Sequence, residues 1–122
     1  LNMVRALRSN EIVALQLDRM VHHGGARWLP FFGEPAPFPS GPFALARITG
    51  APVIPVFIPR LGRRHYGIHV GQPVHVAREA RDGAALDRVM TQAVRQFEAM
   101  VRKHPLQWFQ FQEFWGEAVG GM

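Results

Sequence analysis

The sequence predicts an α/β domain in which a partial, mostly parallel sheet is flanked by helices. Three observations lead there. Residues 83–104 carry Leu86, Val89, Met90, Ala93, Val94, Phe97, Met100 and Val101 at the three-and-four spacing of an amphipathic helix. Two short apolar runs, 11–17 (EIVALQL) and 51–58 (APVIPVFI), are bounded by turn residues, as strands covered on both faces are. The order helix, strand, loop, helix, strand, strand, helix alternates the two element types, which argues against an all-helical bundle.

Taken in order, Leu1, Val4 and Leu7 share one side of a helix that Ser9-Asn10 ends. The 11–17 strand closes on Asp18-Arg19, placing an acid and a base at its C-terminal end. His22-His23-Gly24-Gly25 reads as a loop, and the following stretch, punctuated by Pro30, Pro35, Pro37 and Pro39, as an irregular apolar segment. Ser40-Gly41-Pro42 starts a helix, because serine favours the N-cap and proline is tolerated in the first turn; Gly50 stops it. In the 51–58 strand Pro55 cannot donate to a central ladder, so it marks an edge, a bulge or an interruption.

Residues 66–76 alternate well enough for another strand, with 60–64 as the turn before it. Asp82 or Gly83 opens the long helix and Pro105 ends it. Its polar face carries Asp87, Arg88, Arg95, Gln96, Glu98 and Arg102, with Glu98 and Arg102 one turn apart in the favourable orientation. The tail, 105–116, concentrates Trp108, Phe109, Phe111, Phe114 and Trp115, which suit either packing against the long helix or insertion into a membrane interface. So few strands leave a sheet edge open unless an upstream segment pairs with it, and residues 1–122 read as a single partial domain.

Composition narrows the function. With 122 residues, 48% of them hydrophobic and 19% charged, the chain supports one core, and neither disorder nor a coiled coil fits. No cysteine is present, which excludes a disulfide scaffold, a thiolate nucleophile and any Cys-ligated metal site. The net charge of +5 points to an anionic partner, while the lack of a long basic run or an RNP-type aromatic motif argues against nucleic acid. No uncharged stretch is long enough and free enough of proline to cross a bilayer, and no signal peptide is visible, so the expectation is a cytoplasmic chain.

Familiar site spacings do not occur. His65 and His69 fall on one face of a strand about 13 Å apart, too far to share a metal. Ser9 and Ser40 are the only serines and neither sits in a Gly-x-Ser-x-Gly elbow. Of the acids, only Asp18 and Glu34 lie in apolar surroundings, and they do not form an evident pair.

A larger constellation remains: Asp18-Arg19, Phe31-Phe32-Gly33, Phe38-Pro39-Ser40-Gly41-Pro42, Val53-Ile54-Pro55-Val56-Phe57 and Pro105-x-Gln107-Trp108. In this order the run resembles the C-terminal half of the bacterial lipid A biosynthesis (lauroyl/myristoyl) acyltransferases, part of the wider glycerolipid and lysophospholipid acyltransferases. The segment at 38–42 looks like that superfamily's Phe-Pro-Glu-Gly-Thr block and the one at 53–57 like its Val-Pro-Ile block. Ser40 stands where the wider superfamily has Glu. The family's catalytic His-x-x-x-x-Asp/Glu does not occur: five residues beyond the six histidines stand Arg27, Trp28, Val70, Val74, Ala80 and Phe109.

The resemblance implies the C-terminal part of a glycerolipid-acyltransferase-like fold that holds substrates, with the catalytic half upstream and this chain inactive alone. It implies no catalytic residue here, and substrate binding by Asp18, Arg19, Phe31, Phe32, Phe38, Ser40, Gly41 and Arg60. The helix starting at Ser40 would offer its positive end to a phosphate, aided by Arg19 or Arg60, and the phenylalanines would line an acyl channel. The implied partners are an acyl thioester donor (acyl-carrier protein or coenzyme A), a lipid acceptor and the cytoplasmic face of the bacterial inner membrane, with no resident cofactor, no metal and no nucleic acid. The alternative is a non-catalytic phospholipid- or protein-binding module with an acyltransferase-like half-fold.

Overall fold

Two antiparallel ribbons and one long helix organise the chain. The computed structural model describes residues 2–18, 25–108 and 114–115. In order it contains α1 (Asn2–Arg8), β1 (Ala26–Phe31), β2 (Glu34–Pro39), α2 (Gly41–Thr49), β3 (Val56–Phe57), β4 (Arg60–Gly62), β5 (His65–Tyr66), β6 (His69–Val70), α3 (Gly83–Lys103) and a 3-10 turn at Pro105–Gln107. Asp82 caps α3, its side chain accepting the Ala85 N–H at 2.8 Å, and Arg102 and Lys103 in the last turn complement the helix dipole. Met90, Ala93, Val94 and Phe97 form its buried stripe.

The proline-rich stretch is not irregular: β1 and β2 form a hairpin joined by Phe32-Gly33. Both turn residues have positive φ (53° and 85°), as the two-residue turn that matches strand twist requires. The Ser40 N–H donates to the Gly25 carbonyl at 3.0 Å, which fixes the alternation. Arg27/Phe38, Leu29/Ala36 and Phe31/Glu34 are therefore the hydrogen-bonded pairs, and Pro30, Pro35, Pro37 and Pro39 fall between them, where a backbone N–H points away from the partner strand. No rung is lost to a proline. The side chains of Leu29, Phe31, Ala36 and Phe38 face the core, and the outer edge of β2, lacking three N–H groups, cannot accept a further strand.

Residues 53–74 make the second ribbon. Val56 pairs with Val70, Phe57 with His69 and Arg60 with Tyr66 in one register, which shifts by a residue at Gly62/His65 beside the Arg63-Arg64 turn and at Val53/Val74 at the other end. Here Pro55 and Pro59 stand at hydrogen-bonded positions: their carbonyls accept from Gly71 (2.8 Å) and Gly67 (2.9 Å), but neither can return the bond. The ladder breaks into two- and three-residue strands. Side-chain amides brace its edges instead. Gln96 of α3 accepts the Gln72 N–H (2.7 Å) and donates to the Gln72 carbonyl (3.1 Å). Gln107 does the same for Arg60, at 2.7 and 2.9 Å.

The core lies between α3, the β1–β2 hairpin and α2. Phe31 sits at its centre, stacked on Phe97 (5.0 Å between centroids) and Trp115 (5.7 Å), and edge-on to Phe38 and Trp108. Trp108, Phe114 and Trp115 of the aromatic tail thus pack into the protein; Phe109 and Phe111 lie outside the described residues.

Among the described residues every ladder is antiparallel, in three two-stranded sheets, so they do not form the mostly parallel sheet expected from the sequence. The 11–17 run forms no strand and pairs with no described strand, and Ile12 and Leu15 are exposed. Strands of a parallel sheet are covered on both faces, and the described residues leave Ile12 and Leu15 of this run exposed.

Candidate functional site

A groove of about 1020 Å³ runs between residues 10–18 and residues 42–59, floored by Ala93, Phe97, Met100 and Val101 of α3. Its walls are largely apolar: Leu17, Phe43, Leu45, Val53 and Phe57 all contribute. Both apolar runs, 11–17 and 51–58, contribute to them.

Polar groups gather where Asp18, His104, Gln107 and Trp108 line this groove. The Trp108 indole N–H donates to Asp18 Oδ2 at 3.1 Å, while the neighbouring Gln107 amide grips the Arg60 backbone. Three segments far apart in sequence therefore meet at the Gln107-Trp108 dipeptide. The Arg60 side chain is exposed and turns to the Gly62 carbonyl at 3.1 Å. An apolar trough with a few convergent polar groups is the general form of a small-molecule site.

The other residues singled out from the sequence lie elsewhere. Phe31 and Phe38 are completely buried in the aromatic core and do not line the groove. Phe32 is exposed at the hairpin tip, its N–H donating to Glu98 (3.0 Å) and its ring beneath Arg102 (5.0 Å). Ser40 occupies the N-cap position of α2 without capping it. Its backbone is helical there, and its hydroxyl donates to the Gly25 carbonyl at 2.8 Å, closing the first hairpin. Gly41 is exposed at the start of α2 with open space at its Cα. Arg19 lies outside the described residues.

One ion pair ties the hairpin to α3. Arg27 of β1 meets Asp87 through two hydrogen bonds, 2.8 and 3.0 Å. These bonds hold the Asp87 carboxyl below the usual carboxylate range and raise Arg27 above its ordinary value. Gly83 lies beside it, where a Cβ would press on the Arg27 guanidinium and make it shift. Gln96 left no signal in the sequence, because its partner is a backbone that any residue could supply.

Over 110 residues the chain is 33% identical to phosphatidylinositol mannoside acyltransferases of Mycobacterium tuberculosis, from strains CDC 1551 / Oshkosh and ATCC 25618 / H37Rv. The match takes in 89% of this chain and 32% of each relative, so the chain spans about a third of the length of these curated proteins. The family model for bacterial lipid A biosynthesis acyltransferases matches residues 1–117, nearly the whole sequence, and the chain belongs to that family.

Proposed function

We propose that these residues are the substrate-holding C-terminal part of an enzyme that moves a fatty acyl chain from an acyl thioester to a hydroxyl of a glycolipid. The thioester is that of acyl-carrier protein or coenzyme A, and the acceptor is a lipid A precursor or a phosphatidylinositol mannoside. The groove carries this reading: it holds about 1020 Å³, is largely apolar and carries the Asp18, Gln107 and Trp108 polar cluster, as an acyl chain with a reactive end requires. A histidine in an upstream His-x-x-x-x-Asp/Glu takes the proton of the acceptor hydroxyl. The oxygen attacks the thioester carbonyl, and the thiolate leaves and takes up that proton. The residues described here bind and orient. Asp18 and Arg60, held by Trp108 and Gln107, are the polar contacts, and the start of α2 at Gly41 receives a phosphate.

On this reading the unpaired 11–17 run joins a mostly parallel sheet completed by upstream strands, and the enzyme works at the cytoplasmic face of the inner membrane. The test uses the full-length natural protein with radiolabelled acyl-coenzyme A or acyl-carrier protein and each acceptor in turn. Transfer is expected to one acceptor. Met100→Trp, which fills the groove floor, should shift the preference to shorter chains, and Arg60→Ala should lower transfer more than stability. Lipid binding without transfer from either donor would overturn the reading in favour of a non-catalytic module.

A further inference from the structure

The second ribbon leaves one face uncovered. Its register places Val56 opposite Val70, Arg60 opposite Tyr66, and Ile58 opposite Ile68 between them, with Ile54 two residues before Val56 on the same side. The alternate residues Val53, Pro55 and Phe57 turn inward and are half-buried. On the outward face Ile54, Val56, Ile58, Tyr66, Ile68 and Val70 are between 47% and 74% exposed. A contiguous apolar face of this kind marks an interaction surface, not scattered surface residues.

Charge identifies what it meets. Residues 35–78 contain five arginines and no Asp or Glu, whereas the rest of the chain holds nine basic and nine acidic residues. The whole net charge of +5 therefore sits in the segment that carries the ribbon. Arg60, Arg63 and Arg64 lie at its turn, all exposed, and none forms an ion pair among the described residues. Apolar side chains bordered by arginines, on a segment that carries no acid of its own, suit the boundary between acyl chains and anionic headgroups. Ile54, Val56 and Ile58 also border the groove, so the apolar face continues into the groove wall.

We propose that the outward face of the 53–74 ribbon docks on an anionic lipid bilayer, with Ile58, Ile68 and their neighbours entering the acyl boundary and Arg63 and Arg64 contacting headgroup phosphates. This deepens the acyltransferase reading by naming the surface that brings the groove to its lipids, and it is tested without turnover.

The experiment measures partition of the full-length natural protein onto vesicles of equal phosphatidylglycerol and phosphatidylcholine, and onto phosphatidylcholine alone. Replacing Arg63→Gln and Arg64→Gln together should weaken binding to the anionic vesicles about 30-fold, roughly fivefold for each arginine, and leave transfer in detergent micelles intact. In a second measurement Ile68→Cys, in a background without other cysteines, carries an environment-sensitive dye. Its emission should be that of a solvent-exposed dye in the free protein and shift to shorter wavelength on anionic vesicles. Unchanged partition of the double variant overturns the proposal. So does a dye unaffected by vesicles, or one already shielded without them, which would mean that another part of the polypeptide covers this face. Loss of transfer with normal vesicle binding would count against the acyltransferase reading alone.

Discussion

The two ribbons of this chain are both rich in proline, yet only the first is a continuous ladder. In the β1–β2 hairpin the prolines fall at every second position, 35, 37 and 39, and at 30 across from 35, always where the missing N–H would have pointed outward. In the 53–74 ribbon Pro55 and Pro59 fall on the other phase, where the N–H would have crossed to the partner. A proline's effect on a sheet is thus set by its phase relative to the register more than by its presence. The first ribbon is closed, tucked under α3 and sealed along one edge. The second is held by Gln96 and Gln107, exposes one face, and contributes a wall of the groove.

Phe97 joins the two, stacked 5.0 Å from Phe31 of the first ribbon and 6.5 Å from Phe57 of the second. Phe97→Ala should show the largest effect, a loss of about 3–5 kcal/mol in urea unfolding of the full-length protein. A value near zero would mean that neither ribbon rests on α3. The phase argument is tested next: Ala36→Pro puts proline at a hydrogen-bonded position of the first hairpin and should cost at least about 1–3 kcal/mol through the carbonyl left unpaired. Pro37→Ala, on the harmless phase, should stay within about 0.5–1 kcal/mol of the parent. Equal effects would refute the comparison.

Gln107→Leu removes both bonds to Arg60 and should cost about 1–2 kcal/mol, with faster amide exchange at Arg60 but not at Leu29. The smallest effect belongs to the ion pair of the first ribbon. Because the Asp87 value is lowered in the folded state, its contribution is complete above the ordinary aspartate value of about 3.9 and is lost as pH falls through the lowered value. Asp87→Asn should flatten that acid limb of the stability profile and leave stability nearly unchanged once the pH is below the lowered Asp87 value.

Much of the helical structure was legible. The three-and-four spacing from Leu86 to Val101 marks the buried stripe of α3 because a helix repeats its faces locally, and Asp82, Gly50 and the Pro105 stop act within a few residues of themselves. The β1–β2 hairpin was not legible as read, since four prolines signal a breaker until the register is known. Ser40 was legible as the start of α2 but not in its bonding, because the Gly25 carbonyl it meets lies 15 residues away. Of the candidate site residues, Phe31 and Phe38 were drawn to the core by the same apolar character that suggested a channel.

By itself, then, the sequence determined the family, through short motifs in a fixed order, and the long helix, through a local period. Tertiary structure alone decided which prolines are harmless, which aromatics are core, and that Gln107 and Trp108 bring the Arg60 backbone and the Asp18 carboxylate to one dipeptide. Those outcomes depend on pairings between residues tens of positions apart, whose partners are backbone groups or aromatic faces that many sequences could supply.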